Sequence, residues 1–214
     1  LSLSGELREV RGVLSMCVAA RDAGFEEFYA PEKNAREAAA VEGIRVYPVK
    51  DMKCLVSHLN GIEPIAPIEY DRDDFFSLTS NYSIDFSDVK GQEKAKRALE
   101  IAAAGGHNVI LIGPPGSGKS SLAKAVAGIL PPMTLEEALQ TSKIYSVAGK
   151  GNKNGGLMRN RPFRAPHYSA SLAAILGGGS DTILPGEISL AHNGIFFADE
   201  FCETPKRVME MLRA

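Results

Sequence analysis

Apolar residues recur along the first sixty positions at two alternating periods. Val13, Leu14, Met16, Cys17, Ala20 and Ala23 fall at helical spacing, and Gly24 stops that helix. Residues 25–30 then read as a strand. Pro31 opens a helix that runs through residue 40, and Gly43 leads into a second strand over 44–49. Asp51 caps a last helix that closes at Gly61. Ahead of all this, Leu1-Ser2-Leu3 alternates apolar and polar before a Ser4-Gly5 turn. The pattern predicts a small α/β piece over 1–60. So short a stretch buries little surface by itself, so it packs on the rest of the chain or is part of a larger domain.

Periodicity is lost over 61–83. This segment holds Pro64 and Pro67, and it sets Glu63, Glu69, Asp71, Asp73 and Asp74 against Arg72 alone, the composition of an acidic linker. A second domain is expected over 84–214. It opens with a helix over 94–104 that carries Ala95, Ala98, Leu99 and Ala102 on one face and ends at Gly105-Gly106. The apolar run 108–112 reads as a buried strand and 121–130 as a helix. Pro131-Pro132 breaks the chain, and Thr134 begins a short helix with Glu137 at capping-box spacing. From Ala138 to Ser180 the pattern gives glycine-rich loops and hairpins, part of an insertion over about 138–194. An apolar strand, 195–198, follows.

Between the strand at 108–112 and the helix at 121–130 lies Gly113-Pro114-Pro115-Gly116-Ser117-Gly118-Lys119-Ser120, with Ser121 next. It fits the phosphate-loop pattern G-x-x-x-x-G-K-[ST], in the strand–loop–helix context that the pattern requires. Glycines let backbone N–H groups converge on an anion, and the helix N-terminus adds its partial positive charge. Lys119 can reach the β- and γ-phosphates of ATP, and the Ser120 hydroxyl can ligate Mg²⁺. The strand 195–198 ends in Asp199-Glu200. An aspartate there can hold the Mg²⁺ beside Ser120, and Glu200 can polarise the attacking water. Glu200 and Lys119 are the candidate catalytic pair, and 113–121 the candidate nucleotide-binding segment.

Composition narrows the partners. The chain of 214 residues is 44% apolar and 23% charged, with a net charge of −2, ordinary for a globular protein. Any nucleic-acid argument is therefore local. Residues 138–180 contain no Asp or Glu but carry Lys143, Lys150, Lys153, Arg159, Arg161 and Arg164, which points to an anionic partner such as DNA. No apolar run has the length of a membrane span, and the start is not a signal peptide. Cys17, Cys54 and Cys202 form no CxxC pair, as expected of reduced thiols in a cytoplasmic protein. The histidines show no metal-ligand spacing. His107 and His192 precede strands and satisfy backbone groups. Phe163 reads as an ordinary core contact.

Longer motifs carry a family resemblance. Asp85-Phe86-Ser87-Asp88-Val89-Lys90-Gly91-Gln92-Glu93 resembles the entry segment of AAA+ ATPases. Arg161-Pro162-Phe163-Arg164-Ala165-Pro166-His167, Gly177-Gly178-Gly179-Ser180 and the stretch from Pro185-Gly186-Glu187 to Asn193-Gly194 are similar to the Mg-chelatase-like AAA+ proteins of the ComM/YifB group. Residues 3–14 resemble the end of the Lon-protease-like domain that precedes the ATPase in that group. The fold class expected is thus α/β: a P-loop NTPase (AAA+) parallel sheet with hairpin insertions, preceded by a partial Lon-protease-like α/β piece. The resemblance implies an ATP hydrolase forming a homo-oligomeric ring, a hexamer, with each site completed by a neighbour's arginine. It also implies that Val89 and Gly91 line an adenine pocket. The ComM-like members are branch-migration helicases, which makes DNA remodelling the expected task. A magnesium-chelatase motor subunit and a non-hydrolysing nucleotide-dependent module are the alternatives. A protease is not expected, because Leu14 occupies the position of the Lon catalytic lysine. Tyr168 stands where many members have a second histidine, and it keeps an aromatic face for stacking on a base. The resemblance further implies a longer protein that extends before Leu1 and beyond Ala214, so that the stretch alone hydrolyses ATP slowly or not at all.

Overall fold

The computed structural model describes residues 2–71, 75, 82–152, 156–179, 182–204 and 206–211. Its helices in chain order are α1 (Val13–Asp22), α2 (Glu32–Ala38), α3 (Met52–Leu59), α4 (Glu93–Gly105), α5 (Lys119–Ile129), α6 (Leu135–Val147), α7 (Leu172–Leu176), α8 (Glu187–Leu190) and α9 (Lys206–Met211). The strands are β1 (Glu27–Pro31), β2 (Arg45–Val49), β3 (Phe163–Arg164), β4 (Gly177–Gly178), β5 (Leu184–Pro185) and β6 (Ile195–Phe196). Among the described residues they form three two-stranded sheets: parallel β1·β2, parallel β3·β6 and antiparallel β4·β5. Among the described residues no helix is long and apolar enough to cross a membrane.

The chain divides into two compact units, one of residues 1–78 and 135–158, the other of 79–134 and 159–214. In the first, β1 and β2 pair from Glu27↔Arg45 to Pro31↔Val49, with α2 as the crossover that parallel strands need. Ala30, Ala35, Ala38, Val46 and Val49 form its core with Leu14 and Cys17 of α1. The element order expected over 1–60 is present. Asp51 caps α3, its Oδ1 accepting from the Cys54 N–H at 2.8 Å. Residues 2–5 form a turn rather than a strand, and Glu6 makes an isolated antiparallel bridge with Asp51.

One departure lies in the expected loop region. The helix expected to be short runs thirteen residues as α6 and packs on α1, with the Gly12 N–H donating to the Ser146 carbonyl at 3.1 Å. Its buried seam is Ala138, Thr141, Ser142, Tyr145 and Ser146. The spacing is helical, but three of the five are Ser or Thr, so the seam is invisible as an apolar stripe. The Ser142 hydroxyl is satisfied by the Met158 N–H at 2.7 Å.

The second unit begins with a 3-10 turn at Phe86–Asp88, closed by a reciprocal capping box between Asp85 and Asp88. Then come α4, whose C-terminal cap Gly106 has φ 63°, and α5, which buries Leu122, Ala123, Ala125 and Ala127. β3 and β6 pair as Phe163↔Ile195 and Arg164↔Phe196, and the Phe197 N–H continues the ladder to the Arg164 carbonyl at 2.8 Å. The Phe163 and Phe197 rings stack at 5.9 Å, and Phe163 is half-buried rather than part of the core. The hairpin β4·β5 is also as expected. It is closed by backbone against backbone: a Cβ on Gly186 would come within 2.2 Å of the Gly177 nitrogen and 2.4 Å of the Ile175 carbonyl oxygen.

The extended segment 108–112 departs from expectation. It is assigned no strand, and no hydrogen-bonded partner strand flanks it among the described residues. Ile110 is 72% exposed and Ile112 87%. The apolar run is there, but nothing among the described residues covers it. In the second unit the parallel pairing among the described residues is that of β3 with β6.

Candidate functional site

The second unit brings the two halves of the sequence-predicted site together. The phosphate loop ends at Gly118, whose φ of 83° places it in the left-handed region at the cap of α5. A glycine adopts that conformation without steric cost, and Lys119 can then begin the helix. Gly116 is also left-handed (φ 75°), and nothing lies within 4 Å of where a Cβ would stand on either residue. At Gly116 and Gly118 the loop is thus open, and it leads into a helix N-terminus. Lys119 folds back over it, Nζ donating to the carbonyls of Gly113 at 2.9 Å and Pro114 at 2.8 Å.

Asp199 arrives from the end of the β6 ladder. The Ser120 hydroxyl donates to its Oδ2 at 3.4 Å, across 79 residues of sequence. The other carboxylate oxygen, Oδ1, accepts from the Glu200 N–H at 3.0 Å. Glu200 has a left-handed backbone (φ 49°, ψ 47°), a conformation that costs a residue with a Cβ about 1 kcal/mol or more. The Glu200 side chain is exposed.

A hydroxyl and a carboxylate at this separation are hard oxygen donors of the kind Mg²⁺ takes. No group of three or more His, Cys, Asp or Glu among the described residues could hold a metal by itself. Two donors with open space beside them suit an ion that shares its coordination with water and a phosphate chain. Next to the loop opens a cavity of about 480 Å³, lined by Ile84, Asp88, Val89, Lys90, Gln92, Gly116, Ser117, Gly118 and Ser121. Val89 and Ser121 are in its wall. Gly91 is not; its left-handed φ of 65° turns the chain into α4 instead. Asp88, Lys90 and Gln92 were missed as wall residues, although all three lie in the entry motif 85–93.

Of the basic residues, Lys143 lies on α6 and Lys150 just after it, in the first unit; Arg159, Arg161 and Arg164 belong to the second. Lys153 lies outside the described residues. Arg161 gives its guanidinium to the carbonyls of Pro131 at 2.6 Å and Asn193 at 2.7 Å. Arg164 forms a two-point ion pair with Glu187, at 2.5 and 2.7 Å, both side chains largely shielded from solvent. The His167 and Tyr168 rings lie 4.3 Å apart, tilted by 33°, and line a small depression with Asp199.

The model of a family described as "Magnesium chelatase, subunit ChlI" matches residues 85–214. The chain belongs to the magnesium chelatase ChlI family. Within this family it groups with the ComM/YifB proteins. It is 42% identical over 215 residues to the competence protein ComM of Haemophilus influenzae, covering 100% of this chain and 42% of that one. It is 42% identical over 214 residues to the uncharacterised protein YifB of Salmonella typhimurium, again over 100% of this chain and 41% of the relative. A shorter similarity, 51% over 51 residues, or 24% of this chain and 8% of the other, links it to the archaeal Lon protease of Archaeoglobus fulgidus. The chain therefore spans about 42% of the length of its full-coverage ChlI-family relatives.

Proposed function

We propose that the site binds ATP with Mg²⁺ and hydrolyses it, and that the protein is a ring-forming AAA+ motor that remodels DNA. The observation that carries the first half is the meeting of the Ser120 hydroxyl with the Asp199 carboxylate at the N-terminus of α5. In this reading Lys119 exchanges the carbonyls of Gly113 and Pro114 for phosphate oxygens, and the loop amides neutralise the rest of the charge. Ser120 and Asp199 hold Mg²⁺, which neutralises charge on the phosphate chain. Glu200, exposed next to Asp199, orients the attacking water. Positioning and electrostatics are nearly all such a reaction requires of the protein.

The DNA half rests on the acid-free basic stretch and on the similarity to a protein named for competence. Lys143, Lys150 and Lys153 supply charge for the phosphate backbone, together with Arg159. Arg161 and Arg164 serve first to brace the fold. A magnesium-chelatase motor subunit is the second reading, favoured by the printed name of the matched family. The test is ATP hydrolysis by the full-length protein with and without branched DNA. Stimulation by DNA is expected. Hydrolysis that ignores DNA excludes the remodelling role and leaves the chelatase one.

Two substitutions test the site itself. Glu200→Gln is expected to lower turnover by at least about a hundredfold while nucleotide binding is retained. Lys119→Ala is expected to lose nucleotide binding. If wild type and Glu200→Gln are equally inactive while both bind nucleotide, the reading as a non-hydrolysing binding module gains.

A further inference from the structure

Gln92 has a place in the site that the reading above leaves unexplained. Its backbone is left-handed (φ 60°, ψ 33°), immediately after Gly91 and at the N-terminal cap of α4. A residue with a Cβ gives up free energy there. The conformation is held by the helix itself, since the Gln92 carbonyl accepts from the Lys96 N–H at 2.9 Å. From this fixed base the side-chain amide reaches across 25 residues of sequence and donates, through Nε2, to the Ser117 carbonyl at 3.2 Å.

Ser117 is held from other directions too. Its N–H donates to the Pro114 carbonyl at 3.3 Å. Its hydroxyl lies so close over Gly113 that a Cβ there would stand 3.2 Å from Oγ. In a trans peptide the carbonyl of one residue and the N–H of the next point in opposite directions. A Ser117 carbonyl bound to Gln92 therefore turns the amide of Gly118 away from α4. Gly118, left-handed at φ 83°, is the last residue before Lys119, at the end of the helix where an anion is favoured.

We propose that Gln92 is a positioning residue: by holding the Ser117 carbonyl it presents the Gly118 amide to the phosphate chain of the bound nucleotide. The inference rests on the nucleotide reading of the loop. It says which residue outside the phosphate-loop motif sets the loop's shape.

The test compares the full-length wild type with Gln92→Asn, which keeps a side chain tolerant of the left-handed region but is too short to span the contact. Affinities for ADP, inorganic tripolyphosphate and adenosine are measured by displacement of a fluorescent ADP analogue. Loss of one hydrogen bond weakens ADP and tripolyphosphate alike, roughly fivefold each. Adenosine is expected to bind unchanged. A second variant, Gln92→Met, matches the length without a donor and is expected to give the same pattern. Unchanged tripolyphosphate affinity in the variants overturns the inference, as does a loss shared by adenosine, which marks a cavity-wall or folding role. If wild type itself binds neither ADP nor tripolyphosphate, the nucleotide reading falls, and the inference with it.

Discussion

Single residues in this molecule are constrained in unlike ways. Cys17 is buried beneath α2, its Sγ directed at the Ala38 carbonyl, and burial pushes its thiol up to about 11. Since the thiolate is the reactive form, Cys17 is expected to resist alkylation in the native protein. Cys202 is exposed and is expected to react at once; mass spectrometry after brief iodoacetamide treatment distinguishes the two. Gly186 is constrained by space instead. A methyl group there meets backbone on two sides, so neither partner can rotate away. Gly186→Ala is expected to destabilise by about 4 kcal/mol, at the upper end of single-substitution effects, and denaturant unfolding measures it. The approach of Ser120 to Asp199 was legible in the sequence because each sits in a pattern of fixed residue types at fixed places. Gln92 was not. Its role depends on a left-handed backbone and a contact 25 residues away, and neither leaves a local pattern.

At the scale of elements, an apolar pattern and a buried face are separate facts. The run at 108–112 reads as a buried strand, yet Ile110 and Ile112 face solvent, because hydrophobicity does not specify what will cover it. α6 errs the other way, burying Thr141, Ser142 and Ser146 through hydrogen bonds that composition conceals. The packing of α6 has a consequence for pH. Glu37 of α2 lies partly buried, and that burial raises its carboxyl above the usual range; a hydrogen bond with Ser146 of α6 pulls it down, and nearby Glu9 adds to the rise. A raised carboxyl favours the protonated folded state. Its contribution to stability is therefore fully present below the ordinary carboxylate pKa and is lost as pH rises through the folded value. Glu37→Gln is expected to raise the thermal midpoint at pH 7.5 and leave it nearly unchanged at pH 4; an equal shift at both values shows the effect is not ionisation. The β3–α8 pair is held by charge. Removing one partner of the Arg164–Glu187 pair strands a shielded charge, so Arg164→Met is expected to cost about 2–3 kcal/mol, discounted from a fully buried pair because both side chains keep some exposure. Removing both, in Arg164→Met with Glu187→Met, costs less than either alone. Unfolding free energies of the two singles and the double decide it.

For the whole molecule, the acid-free stretch divides between two units, and the division changes what its charge can do. Arg161 and Arg164 are committed to carbonyls and to Glu187 within the second unit. Lys143 and Lys150 belong to the first unit, and no ion pair engages either among the described residues. A count of positive residues in sequence thus overstates the charge available to DNA, since it cannot tell a bracing arginine from a solvated lysine. If the protein grips a phosphate backbone, the lysines carry the salt-dependent part. Each phosphate neutralised on duplex DNA contributes about 0.9 to the slope of log affinity against log salt. Lys143→Gln with Lys150→Gln in the full-length protein is expected to lower that slope by roughly 1.8 and to weaken binding similarly across DNA sequences. Fluorescence anisotropy at several salt concentrations measures both. An unchanged slope, with affinity lost only when Arg161 or Arg164 is also replaced, places the DNA contact in the second unit and removes the lysines from it.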